Sequence, residues 1–291
     1  MEATAVRFEA TPLSDSAHEA NLRRILGEAF EGLHLDYSRW CLPLSGGVDS
    51  RAILLLLPSR EGVRCVTWGI RSSLEVRASD AHVARTLAQR LGVEHRFFDT
   101  GVSSEPVERL FDRFLMAGEG RVDHVSGYMD GFAIWKQLFE TGVCGILRGD
   151  EGFGWLPVSN ESDVRRCVGL TVGADFNNAR DQVALGLEEQ HWPARLDRRQ
   201  DETLAAWRDR LYHEFRIPVV LAALNDLKLW YVEIEAPFLS RRIIETVRML
   251  PDHLRTGKAL FTRIVASMEP QIPFARYPSI AIPDRGRHQR E

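Results

Sequence analysis

The sequence predicts an α/β protein: a parallel sheet flanked by helices, followed by a helical region. Short apolar runs alternate with amphipathic stretches as far as about residue 150, the pattern of βαβ units joined by right-handed crossovers. From about residue 160 the strand signal stops and helical spacing takes over. A polar glycine-rich turn follows the first apolar strand and opens a helix, which marks a ligand-binding end of such a sheet.

Each element has its local reason. Residues 1–17 read as a leader. Residues 18–33 place Leu22, Ile25, Leu26, Ala29 and Phe30 at helical spacing. A strand is predicted over 40–44, and a buried helix over 51–57, stopped by Pro58. The next strand spans 64–70. An amphipathic helix over 75–91 ends at Gly92, a residue suited to the left-handed position after a helix. A third strand at 95–98 is followed by helices at 106–116 and 127–141, then a fourth strand at 143–147. Beyond it, 177–190, 201–215, 219–232, 240–249 and 258–268 read as helices. This divides the chain into an α/β unit over 18–158, a helical region of the same domain over 159–284, and a frayed polar tail over 285–291.

Composition narrows the function classes. Lys and Arg total 37 against 41 Asp and Glu, a net charge of −4. That speaks against a dedicated nucleic-acid binder, which carries a basic face. The longest apolar run, 52–58, is far below the roughly 18 residues a membrane span requires. The N-terminus lacks the charged-then-apolar order of a signal peptide, so a cytoplasmic protein is expected. Cys41, Cys65, Cys144 and Cys167 form no CxxC pair, which speaks against a zinc site or disulfide framework; Cys41, Cys65 and Cys144 sit in apolar strand-like runs and read as small buried hydrophobes. Only Lys136, Lys228 and Lys258 are lysines, so any catalytic lysine has three candidates. Trp207 and Trp230 fit helical core faces.

The turn Ser45-Gly46-Gly47-Val48-Asp49-Ser50 carries the chemistry. It sets free backbone N–H groups and two hydroxyls at a helix N-terminus, where an anion is favoured. Gly46 and Gly47 let the backbone approach phosphate closely. Neither a Walker GK[ST] nor a GxGxxG is present. Asp49 would repel phosphate unless it binds magnesium, which bridges to phosphate oxygens.

Leu44 to Ser50 resembles the pyrophosphate loop of the ATP pyrophosphatase (PP-loop) superfamily. Three further stretches resemble its asparagine-synthetase branch. They are 80–95, ending in Leu91-Gly92-Val93-Glu94-His95; Gly149-Asp150-Glu151-Gly152-Phe153-Gly154; and Glu233-Ile234-Glu235-Ala236-Pro237-Phe238-Leu239. The resemblance, over about residues 20–275, implies an adenine-nucleotide α-hydrolase-like fold with ATP and magnesium as cofactors. It implies ATP and pyrophosphate binding by Leu44, Ser45, Gly46, Gly47, Asp49, Ser50 and Gly149, with adenine read by the backbone of Thr67, Trp68 and Gly69. Asp49 and Asp150 would be the metal ligands, at the ends of two strands that could be sheet neighbours. Glu233 would stand at the acceptor end of the cleft and orient or deprotonate an amine.

The departures from the family are informative. The leader leaves no room for a glutaminase domain, so another amine or a partner-supplied ammonia is expected. Glu235 and Ser240 replace the Arg and Asp that flank Pro-Phe-Leu. Arg276 keeps a late arginine, but the family's charge-stabilising lysine does not follow it. A fixed cation there is worth several kcal/mol. Arg276, Arg51 or Arg148 are candidate replacements, and Lys258 lies too early by alignment, at a helix start. Arg51 either reaches phosphate or opens its helix on the solvated side. Tyr128 and Trp155 flank the cleft, and Asp123 and His124 lie in a substrate-facing or surface loop.

The main expectation is an AMP-forming ligase. A substrate carboxylate is adenylated and then captured by an amine, with small molecules or peptides as substrates, in natural-product or peptide modification. An ATP-binding subunit with impaired catalysis and a partner protein is the alternative, and an RNA-base-adenylating enzyme is a third reading.

Overall fold

A computed structural model describes residues 5–122, 125–176, 186 and 192–276. The predicted helix over 177–190 (Gly186 apart), the tail 285–291 and the pair Asp123 and His124 lie outside the described residues.

Helix α1 (Asp15–Glu31) starts three residues earlier than its apolar spacing indicates. Ser14 caps it, its side chain accepting from the Ala17 N–H. Then come β1 (Trp40–Pro43), α2 (Val48–Leu56) and β2 (Arg64–Gly69). Helix α3 (Asp80–Leu91) opens at the Ser79 cap rather than at residue 75, because Arg71–Glu75 forms a 3-10 turn. Gly92 ends it in the left-handed conformation, as its sequence position indicates. There follow β3 (Glu94–Asp99), α4 (Val107–Gly118), α5 (Ala133–Glu140) and β4 (Gly145–Leu147). The second half contains α6 (Glu161–Val168), α7 (Leu204–Leu211), α8 (Ala222–Leu229), β5 (Glu233–Glu235), α9 (Arg241–Arg248), α10 (Asp252–Arg255) and α11 (Ala259–Met268).

Two sequence expectations change here. The strand signal does not end at 160: β5 adds a fifth strand beside β4, with Ile146 opposite Ile234. Three residues with one apolar centre are too short to show a period, and pairing supplies what the pattern lacks. The predicted gap between helices at 215 and 219 is also closed. A wide-turned π segment, Tyr212–Leu221, joins α7 to α8 with Pro218 inside it. Proline removes a normal helical hydrogen bond, and the wider turn accommodates that loss.

The five strands are parallel, in the order β3-β2-β1-β4-β5. Alternate residues feed opposite faces, as the pleat requires. Leu42, Cys65 and Leu147 enter a core with residues of α1, α2, α3, α9 and α11. Cys41, Val66 and Ile146 enter a second core with α4, α5 and α8. A smaller cluster around Trp207, Leu211 and Val164 joins α6 to α7. Trp207 is core as expected, whereas Trp230 is 59% exposed. Cys41 and Cys65 are buried, and burial pushes both thiols up to about 12.

The strand order reverses direction at β1: β2 and β3 lie to one side, β4 and β5 to the other. The loops leaving β1 and β4 therefore diverge, and a crevice opens beyond the carboxyl ends of these two strands.

Candidate active site

The glycine turn fills one side of that crevice. Ser45 N–H donates to Ser50 Oγ (2.9 Å), the two hydroxyls lie 3.0 Å apart, and Gly47 N–H donates to Ser45 Oγ (3.2 Å). Gly46 N–H is held by Asp80 Oδ1 (3.1 Å). The turn is thus braced from within and from α3 before α2 begins. A Cβ on Gly46 would stand 2.4 Å from the Ala275 Cβ and 2.9 Å from that of Val83, so only glycine fits there.

The other side comes from the β4 loop. Gly149 packs so closely that an added Cβ would be 2.9 Å from the Asp49 Cβ. Strand neighbours β1 and β4 thereby bring Asp49 and Asp150 to one crevice, as their sequence positions suggest. Asp150 is buried and accepts from Arg148 Nη2 (2.9 Å) and Asn225 Nδ2 (2.9 Å). The cleft measures about 380 Å³ and is walled by Ser45, Asp49, Thr67, Trp68, Arg148 and Asp150. Thr67 Oγ1 donates to the Leu44 carbonyl (2.6 Å), tying the β2 end to the loop.

Besides Arg148, a second cation, Lys258, meets the site through Asp49. Its Nζ lies 3.0 Å from both Asp49 carboxylate oxygens and 2.8 Å from Glu151 Oε1. Its backbone is left-handed (φ 55°), next to Gly257 at φ 66°. A lysine in that region costs of order 1 kcal/mol or more, and such strain persists where surrounding structure enforces it. Burial opposes its charge, but Glu151 and Asp49 outweigh this and hold its pKa above the ordinary lysine value. Burial likewise raises Asp49, with Lys258 pulling the other way. Glu151 is pushed up to about 7 by burial, partly offset by Lys258. The helix-start lysine that alignment placed too early is therefore delivered to the loop across 209 residues.

Other expected site residues are placed differently. Glu233 is exposed and pairs with Gly145, the first residue of β4. It stands at the amino end of the sheet, away from the crevice, because a parallel sheet opens its ligand site only at carboxyl ends. Arg51 is neither solvated nor in the phosphate loop's mouth. It is buried, donates to the carbonyls of Ile272 (2.5 Å) and Pro273 (3.0 Å), and lies over the Phe274 ring. The segment that Arg51 holds, Ile272 to Ala275, brings Ala275 N–H to Gly46 O (2.9 Å). Arg276 is exposed and borders a separate groove along α3, although its N–H is fixed to Ala78 O. Trp155 stacks on Tyr212, with Lys258 Nζ 5.6 Å from its ring. Gly69 ends β2 and accepts from Thr100 N–H.

Sequence reasoning missed the structural parts of Glu151, Asn225 and Lys228. Glu151 was visible inside the Asp-Glu loop. Asn225 and Lys228 stand three apart on α8, one helical turn, and the rarity of lysine was the remaining signal.

Residues 21–127 match the family model for asparagine synthase, a family of ATP-dependent amidating ligases. The match spans α1 to the start of the segment after α4, including the glycine turn, Thr67 and Trp68. No curated protein matches the chain. Among the described residues no helix is long and apolar enough to cross a membrane.

Proposed function

Starting from the asparagine synthase match, we propose that the chain is an AMP-forming carbon–nitrogen ligase. It adenylates the carboxylate of a small molecule or peptide and passes the acyl group to an amine. The observation that carries this is the convergence of Asp49 and Asp150 on one crevice, beside a glycine turn at a helix N-terminus. The turn and the amides of α2 receive the phosphate chain. Trp68 and Thr67 border the nucleotide.

Magnesium suits the donors present: two carboxylates, and the buried Asn225 Oδ1 without a partner beside Asp150. This is an all-oxygen set, and magnesium takes one or two carboxylates together with substrate phosphates. Asp49 and Asp150 would hold it, and the ion would neutralise charge on the departing pyrophosphate.

The carboxylate oxygen attacks the α-phosphorus, a C–O–P bond forms, the α–β P–O bond breaks, and pyrophosphate leaves. An amine then attacks the acyl carbon, its proton is lost, and AMP departs. Lys258 supplies fixed positive charge beside the leaving group, in the role for which no lysine follows Arg276. Arg148 holds Asp150 and faces the same cleft.

Calorimetric titration with α,β-methylene ATP and magnesium tests the reading. Wild type should bind, while Asp49→Asn and Asp150→Asn should lose magnesium-dependent binding. Turnover should release AMP and pyrophosphate. Absence of nucleotide binding in wild type, or production of ADP, would sink the proposal.

A further inference from the structure

Beside the nucleotide cleft lies a second pocket of about 230 Å³. Trp68 and Arg148 line both spaces, so the two adjoin. The remaining wall is mostly aromatic and apolar, with Gly127, Tyr128, Ile134 and Trp135, and Leu224 and Lys228 of α8; one acid, Asp130, also borders it.

Lys228 is 3% exposed. Its ammonium donates to the Leu224 carbonyl of its own helix, and lies 5.9 Å from the Tyr128 ring and 5.7 Å from that of Trp135. The surrounding carboxylates are committed elsewhere. Asp130 accepts from the Phe132 and Ile134 N–H groups and caps their turn. Asp150 is held by Arg148 and Asn225, and Asp226 by Arg121 (3.0 Å). Burial and the nearby Arg148 push Lys228 well below the ordinary lysine value. A desolvated amine facing a second cation is costly unless an anion comes between them.

The geometry points to this pocket as the acyl-donor subsite, in which Lys228 and Arg148 grip the carboxylate of a small acid with a flat apolar body. Trp68, Tyr128 and Trp135 offer ring faces and edges to such a body. The volume suits an acid of about the size of benzoate. The shared wall at Trp68 and Arg148 sets that carboxylate at the border of the nucleotide cleft. The inference rests on the adenylation reading above and deepens it by naming the substrate class. Lys228 is a binding residue here, and Lys258 serves the phosphates.

The chain's three lysines make the test direct. Lysine labelled with 13C at Cε yields three signals, for Lys136, Lys228 and Lys258. Titration with benzoate should move the Lys228 signal and raise its titration midpoint, leaving Lys136 unmoved. Benzylamine, of the same shape and opposite charge, should not bind. Lys228→Met should weaken benzoate by about tenfold or more, the loss expected when a buried charged partner is removed. The same variant should keep its affinity for α,β-methylene ATP. A Lys228 signal indifferent to benzoate in wild type, equal benzoate affinity in the variant, or preference for benzylamine would each overturn the subsite. Wild-type failure to bind nucleotide, with benzoate still moving Lys228, would count against the ligase reading and leave the anion pocket standing.

Discussion

A lysine with two carboxylates within 3.0 Å makes a strong statement at the scale of one residue. Removing it leaves the buried Glu151 and the partly exposed Asp49 facing each other without the cation that bridges them. Lys258→Met should therefore cost about 3 kcal/mol of stability, the usual penalty for breaking a buried ion pair. Pyrophosphate release should fall by about a hundredfold or more, since a fixed charge at a developing anion is lost. Denaturant unfolding and a pyrophosphate assay measure the two effects separately. If turnover survives, Lys258 is a structural counter-ion only. The residue was legible in the sequence as a lysine before a helix, but its two partners were not. Asp49 lies 209 residues away, and no local period encodes such a contact.

At the level of elements, the glycine turn is braced from outside the sheet. The segment after α11 returns across the sheet and places Ala275 against Gly46. Arg51 on α2 holds that return through the carbonyls of Ile272 and Pro273 and the Phe274 ring. Arg51→Met keeps most of the side-chain volume and removes these bonds. It should raise hydrogen exchange in residues 272–276 and weaken α,β-methylene ATP binding by about tenfold, as loss of charged hydrogen bonds would. Unchanged exchange there would show that the segment is held by its apolar contacts alone. In sequence Arg51, which follows the loop, reads either as a phosphate ligand or as the solvated start of its helix. The helix turns each successive side chain by 100°, and this position faces the core rather than the cleft. Glu233 was misplaced for a related reason. Its motif gave its company along the chain, while strand direction decided which end of the sheet it occupies.

For the whole molecule, buried titratable groups set the dependence of stability on pH. Glu151 is raised from 4.5 to about 7 in the folded chain. The folded state then holds its proton across that window more tightly than the unfolded state. The stability this contributes is complete below pH 4.5 and is lost as pH rises through about 7. His95 and His213 are lowered to about 4, chiefly by burial. Their contribution runs in the opposite direction: it is present above about 6.5 and lost as pH falls through about 4. The difference between wild type and Glu151→Gln isolates the glutamate. Relative to wild type, the variant should gain stability steadily between pH 4.5 and 7, by urea unfolding at each pH. A pH-independent difference would place the Glu151 titration outside that window.

The sequence by itself determined the alternation of strands and helices, the glycine turn after β1, and the pairing of an aspartate-bearing loop with each of two strands. These features depend on side-chain period and on backbone freedom over a few residues, which neighbouring positions specify. Tertiary structure decided the fifth strand, the end of the sheet at which Glu233 stands, the inward turn of Arg51, and the meeting of Lys258 with Asp49 and Glu151. It also decided that Lys228 would be buried, its ammonium turned to the Leu224 carbonyl of its own helix. Each of these outcomes depends on which distant surfaces pack together. The sheet order and the helices packed on both its faces set that, and only there do desolvation and charge become strong enough to define a site.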